Sequence, residues 1–166
     1  MTVLPDGRSV PVVIDRLRPE HVGEALTVQY AAFLSEGRLY GTFEIPPLTE
    51  TVDELAADLD RADTRGWAAF VGPRLAGSAR LRGVGGVGPV GFARCSVAPD
   101  LQGRGIGTAL LVAAHADLAP GTESALVTGE RSVGNLDLYR RHGYVEAGRE
   151  VDSEGVSVVR MRRVAP

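Results

Sequence analysis

The residues best suited to chemistry lie in one run. Gln102-Gly103-Arg104-Gly105-Ile106-Gly107-Thr108 sets three glycines at alternate positions, directly ahead of a segment with helical spacing. Glycines let successive backbone N–H groups converge without Cβ obstruction. The first turn of a helix adds unpaired N–H donors and the positive end of a dipole. Such a turn can cradle an anion of pyrophosphate type, and Arg104 adds a formal charge at its mouth. The same residues could also make a glycine-rich β–α turn that binds nothing. A second cluster, Gly83-Val84-Gly85-Gly86-Val87-Gly88, matches the letters G-x-G-x-x-G. It lacks the strand before and helix after that a dinucleotide site requires. Pro89 follows it and the next segment is strand-like, so a hairpin loop is expected.

Other chemistries are poorly supplied. All 18 cationic residues are arginine, which removes Schiff-base chemistry and a P-loop lysine. His21, His115 and His142 stand apart in no ligand-type spacing, so no metal site is expected. His115 is expected to be solvated. Cys95 is the one cysteine; it cannot form an intramolecular disulfide and reads as a small filler rather than a nucleophile. A net charge of −3 argues against nucleic acid as a partner. No apolar run approaches the roughly 20 residues of a membrane span, and residues 1–20 show no signal-peptide core. A cytoplasmic protein fits these observations.

The elements that must position the cradle follow from patterning. Residues 10–17 read as a strand, and Val22, Ala25, Leu26, Gln29, Ala32 and Phe33 as a helix face. Residues 37–47 read as a loop. Thr51-Val52-Asp53-Glu54 has the form of a capping box ahead of a second helix. Strands are expected at 67–71, 75–81 and 90–97, a third helix from Ile106 to about Leu118, a strand at 124–128 and a fourth helix at 133–142. Two strands, 144–147 and 156–161, close the chain. The order β-α-α-β-β-β-α-β-α-β-β predicts an α/β (α+β) fold: a mixed, mostly antiparallel central sheet with helices on its faces. One crossover, through the third helix, can make its flanking strands parallel. One domain over 10–164 is expected, with 1–9 as a loose N-terminal segment.

The run Val97-Ala-Pro-Asp-Leu-Gln102-Gly-Arg-Gly-Ile-Gly107-Thr-Ala-Leu-Leu111 resembles the acetyl-CoA loop of the Gcn5-related N-acetyltransferase (GNAT) superfamily. Asn135-Leu-Asp-Leu-Tyr139-Arg-Arg-His-Gly143-Tyr144 is similar to that family's second signature, with one strand between the two. The resemblance runs along nearly the whole chain, 12–163, and implies a GNAT-like acyl-CoA N-acyltransferase fold with acetyl-CoA as the acyl donor and no metal. It implies that Cys95, Ser96 and Val97 present backbone groups to pantetheine. It further implies that Gln102, Gly103, Arg104, Gly105, Ile106, Gly107 and Thr108 hold the pyrophosphate, that Asn135 approaches the cofactor arm, and that Tyr139 faces the thioester sulfur.

The reaction so implied is direct attack of a neutral amine on the acetyl carbonyl within a ternary complex. The enzyme must hold the reactants together, take one proton from nitrogen and return one to sulfur. Tyrosine, with an ordinary pKa of about 10, can act as the acid. The base is less evident, because strand 90–97 carries only Arg94 and Cys95 as ionisable groups. Glu130, just after the fifth strand, and Glu44, in loop 37–47, are the candidates, with bulk water as the alternative. The family places its variable acceptor loop between the first two helices, which makes Tyr40, Phe43 and Glu44 candidates for the acceptor pocket. A small-molecule amine is the expected acceptor. A protein N-terminal acetyltransferase, with an open groove, and a non-catalytic acyl-CoA-binding module remain alternatives. Members of the family are often dimers, and a homodimer is compatible with this sequence.

Overall fold

A computed structural model describes residues 1–3, 7 and 9–166. In chain order it contains β1 (Thr2–Val3), β2 (Ser9–Val10), β3 (Val12–Arg16), α1 (Val22–Tyr40), α2 (Pro46–Thr49), α3 (Val52–Asp60), β4 (Thr64–Val71) and β5 (Arg74–Arg82). There follow β6 (Val90–Val97), α4 (Ile106–Ala116), β7 (Glu123–Gly129), α5 (Val133–Arg141), β8 (Val145–Val151) and β9 (Ser157–Val164). Seven strands form one sheet in the order β3-β4-β5-β6-β7-β9-β8, antiparallel throughout except for the parallel pair β6–β7 joined by α4. Gly83 to Gly88 lie in the hairpin between β5 and β6 and bind no helix start. The expected loose segment 1–9 falls partly outside the described residues; at its described ends β1 pairs with β2.

The central strands are nearly continuous in buried residues because both faces are covered. On one face α1 and α3 pack near Arg80, which reaches Gln29 and Asp58; on the other, Leu110 of α4 lies against Gly77. A Cβ on Gly77 would sit 2.5 Å from the Ser96 carbonyl, so only glycine lets β5 come this close to β6. The capping box of α3 forms as the sequence predicts: the Glu54 N–H donates to Thr51 Oγ1 at 3.2 Å and the Thr51 N–H to Glu54 Oε2 at 2.7 Å.

Two expectations require correction. Loop 37–47 is not a loop throughout: α1 continues through Tyr40 and stops at Gly41, whose φ of +71° suits the end of a helix. Gly37 does not break it because the Phe43 ring packs where its Cβ would be. Residues 46–49 then make a short helix begun by two prolines. His115 is not solvated. It is half-buried, with Nε2 2.9 Å from the Tyr144 hydroxyl, which in turn lies 3.0 Å from Ser124 Oγ. Burial first, then Arg163 and His142, lower its pKa to about 4.

Candidate active site

The parallel pairing of β6 with β7 is brief. It comprises Val90↔Ser124 and Gly91↔Ala125 only, after which the strands part. The gap opens into a cavity of about 670 Å³ lined by Cys95, Ser96 and Val97 of β6, by the glycine turn, and by Asn135 and Tyr139 of α5. Gly103 and Gly105 take φ of +72° and +82°, and a Cβ on either would meet open space. Gly105 leads directly into α4. The backbone N–H groups of residues 102–108 donate to no acceptor among the described residues. Gln102 turns its side chain inward, Nε2 donating to the Val97 carbonyl at 3.0 Å, which pins the turn to the end of β6. These features suit the pyrophosphate of coenzyme A: several free donors, a helix dipole and no obstructing side chain. Arg104 alone of the seven turn residues does not line the cavity.

A second cavity of about 280 Å³ meets the first. Phe33, Glu36, Cys95, Asn135 and Tyr139 line both. Tyr40, Ile45, Pro46 and Pro47 wall it on the α1–α2 side, and Arg94 and Asp152 face it from β6 and the β8–β9 turn. Tyr139 is buried, with its ring edge-on to Phe92 at 6.2 Å and to Tyr144 at 5.8 Å. Burial, with the neighbouring Cys95 adding to it, holds the phenol well above its ordinary pKa, so it stays protonated. Burial likewise pushes the Cys95 thiol up to about 12, which leaves almost no nucleophilic thiolate.

The structure brings together most of the residues singled out in the sequence, but not all. Tyr40 stands in the wall of the second cavity. Its hydroxyl accepts the Arg131 N–H at 2.7 Å and lies 3.4 Å from Ser132 Oγ, and its ring rests against Gly129, where a side chain would collide with it. Phe43 lies over Gly37 and lines neither cavity; Glu44 is exposed and lines neither. Glu130 is also outside both, paired with Arg149 at the surface.

Glu36 is the carboxylate at the junction of the two cavities. It is half-buried, and Ser132 Oγ donates to its Oε2 at 2.6 Å. Phe33, Glu36 and Tyr40 are three and four residues apart, one face of a helix. The apolar spacing runs only to Phe33 and the expected loop begins at Gly37, which hides the continuation of that face to Tyr40. In the sequence Arg94 shows only as an ionisable group on strand 90–97. It sits in a bulge of β6, where the register passes from Arg80↔Ala93 to Ser78↔Ser96, and its φ is +56°.

Below the second cavity lies a buried ionic cluster. Arg80, 1% exposed, donates to both oxygens of Glu50 at 2.9 and 2.6 Å, to Asp58 at 2.7 Å and to Gln29 at 3.2 Å. Gln29 Nε2 donates to Glu50 and to the Pro47 carbonyl. The arginine contacts and the Gln29 bond outweigh burial and hold Glu50 below the usual carboxylate range. The cluster ties α1, α2 and α3 to β5 and so fixes the acceptor-side wall.

The family model for the acetyltransferase (GNAT) domain matches residues 23–165. No curated protein matches the sequence. Among solved structures, the chain is similar to the PaiA N-acetyltransferase of Thermoplasma acidophilum in complex with coenzyme A, at 16% identity and a TM-score of 0.71, covering 93% of this chain and 99% of that one. It is similar to the ribosomal-protein-S18-alanine N-acetyltransferase of Escherichia coli at 16% identity and TM-score 0.73, covering 93% and 94%. It is also similar to the spermidine N-acetyltransferase of Vibrio cholerae, in complex with CoA and spermine, at 19% identity and TM-score 0.70, covering 93% and 95%. At these identities the likeness is one of fold.

Proposed function

Because the chain belongs to the GNAT family of acetyl-CoA-dependent N-acetyltransferases, we propose that it acetylates the primary amine of a small molecule, by direct attack within a ternary complex. The observation that carries this reading is the second cavity. It is walled by Tyr40, Ile45, Pro46 and Pro47, and its volume of about 280 Å³ suits a small ligand. It meets the coenzyme A cavity at a protonated tyrosine and a carboxylate, the acid and base that amide formation needs.

Each residue then has a task. The N–H groups of residues 102–108 hold the donor's pyrophosphate, and the open edge of β6 at Cys95, Ser96 and Val97 offers backbone groups to its arm. Asn135 orients that arm at the junction. Tyr139 gives its proton to the departing sulfur and is left a phenolate, which burial disfavours; the proton that left the amine, passed on from Glu36 or through solvent, restores it, so that one proton leaves nitrogen and one ends on sulfur. Glu36 takes the place first considered for Glu130 and Glu44: it removes the amine proton, directly or through one water. Cys95 fills space. All of these groups come from one chain. The setting we propose is the cytoplasm, consistent with a free, half-buried Cys95.

The test is turnover. Purified protein is given acetyl-CoA with a panel of small amines and, separately, a panel of peptides with free N-termini, and thiol release is followed. Acetylation of small amines is expected, with Glu36→Gln lowering kcat by roughly 10²–10⁴-fold, most severely at acidic pH where the amine needs deprotonation. Turnover of peptides alone would refute the small-molecule reading.

A further inference from the structure

Arg94 is the one cationic group of the acceptor cavity, and acetyl transfer itself does not employ it. Among the described residues it is the only non-glycine with positive φ, at +56°. Glycine adopts that conformation freely and arginine does not. The bulge alone would be better served by glycine, so the side chain is where a use must be sought.

Its electrostatic position is unbalanced. Arg80, Arg82 and Arg94 surround two carboxylates, Glu50 and Asp58. Arg80 and Gln29 already occupy Glu50, and Arg82 joins Arg80 on Asp58 at 2.8 Å. Arg94 Nε stands 3.6 Å from Glu50 Oε2, beyond a hydrogen bond, and is a buried atom with no hydrogen-bond partner among the described residues. Burial lowers its pKa against the pull of Glu50, so an anion beside it would be welcome. The other charged groups on the cavity are Glu36 and Asp152. Glu36 Oε2 accepts from Ser132, and Asp152 Oδ1 accepts the N–H groups of Glu154 and Val156 at 3.0 and 2.8 Å. Tyr40, Tyr139 and Cys95 complete the titratable lining. The cavity thus offers a forked cation on its β6 side and a carboxylate at the mouth toward the donor.

We propose that the acceptor is an amine bearing a carboxylate, an amino-acid-like zwitterion, whose carboxylate is seated on the Arg94 guanidinium while its amine faces Glu36. The inference rests on reading the second cavity as the acceptor site. Guanidinium is the side chain suited to bidentate capture of a carboxylate.

The probes are matched pairs, each of the common L-amino acids against its own carboxamide. Their acetylation is followed by thiol release, and their binding to the protein–CoA complex by calorimetry. The carboxamide's amine is less basic and more often neutral, so intrinsic reactivity runs against the expectation. At least one acid should exceed its carboxamide by about tenfold or more in kcat/KM, the worth of a charged hydrogen bond. Arg94→Gly, which suits the backbone, should collapse that ratio, chiefly through KM; Arg94→Lys should retain part of it. Unaltered acetyl-CoA affinity and melting temperature certify that each variant is folded. Equal use of acids and carboxamides, or a preference that survives Arg94→Gly, overturns the proposal. If no amine is acetylated yet the acids bind and lose affinity in Arg94→Gly, the anion seat stands and the transfer reaction of the preceding section falls. Binding of neither class overturns the seat.

Discussion

Replacing Tyr139 by phenylalanine should separate catalysis from stability. Among the described residues none hydrogen-bonds to the Tyr139 hydroxyl; burial, then the nearby Cys95, Tyr144 and Glu36, act on it. The ring contacts with Phe92 and Tyr144, at 6.2 and 5.8 Å, do not use the oxygen and survive the change. Loss of a hydroxyl that faces the cavities and anchors no other group should therefore change unfolding free energy by no more than about 1 kcal/mol. The rate should behave differently. General acid catalysis contributes about 10²–10⁴-fold, or roughly 3–5 kcal/mol of barrier, so kcat should fall within or somewhat below that range. The dissociation constant of acetyl-CoA should move by less than about tenfold. Urea unfolding, acetyl-CoA titration and steady-state thiol release, run on the same preparation, give the three numbers. A donor with a more acidic thiol should recover part of the lost rate. Wild-type kcat with chemistry shown to be limiting would make Tyr139 a packing residue. A loss of stability above about 1.5 kcal/mol would mean that the hydroxyl is anchored in a way the structure does not show.

Three further outcomes are expected. Gly105→Asp meets no atom within 4 Å but must hold φ near +82°; it should cost about 1–2 kcal/mol and abolish the stabilisation by acetyl-CoA, about 2.7 kcal/mol at one hundred times its dissociation constant in the wild type, as thermal shift reads it. Arg80→Met strands Glu50 and Gln29 in the interior and should destabilise the fold by about 3–5 kcal/mol in denaturant unfolding. His115 titrates near 4 when folded against 6.5 unfolded; between those values the unfolded chain binds more protons, so its contribution is complete above pH 6.5 and is lost as pH falls toward 4. Urea midpoints between pH 7 and 4.5 should record a loss of order 1 kcal/mol from this group, the shift being discounted for the ring's partial exposure, and His115→Gln should flatten that limb.

What could be read in the sequence was what is local. The glycine turn acts through its main chain, so seven consecutive residues carry both the pattern and the geometry. The Thr51–Glu54 capping box spans three residues and forms as written. The strand order followed from turn signals that each lie within a few positions. What escaped was long-range. Gly37 reads as the start of a loop, and the Phe43 ring folding back over it accompanies the continuation of α1; with the helix expected to stop before Gly37, Tyr40 is hidden from the face that carries Phe33 and Glu36. Arg80 sits in an apolar strand with partners 22 to 51 residues away in sequence, and no periodicity announces them. The carboxylates chosen as bases, Glu44 and Glu130, were nearest in sequence to functional elements, yet their side chains leave toward solvent and Arg149.

The early parting of β6 from β7 also has a mechanical side. Strands β3 to β6 form one leaf and β7, β9 and β8 another, laced by only two residue pairs at one margin. The second leaf ends in β8, whose residues are exposed almost throughout. A donor lying in the cleft spans both leaves and acts as a crossbar. Its binding should register as stiffening, with amide exchange slowing along 92–97 and 126–129 while helix and strand content stay constant. Empty, the molecule is a book held by the top of its spine; filled, it is clasped along its length.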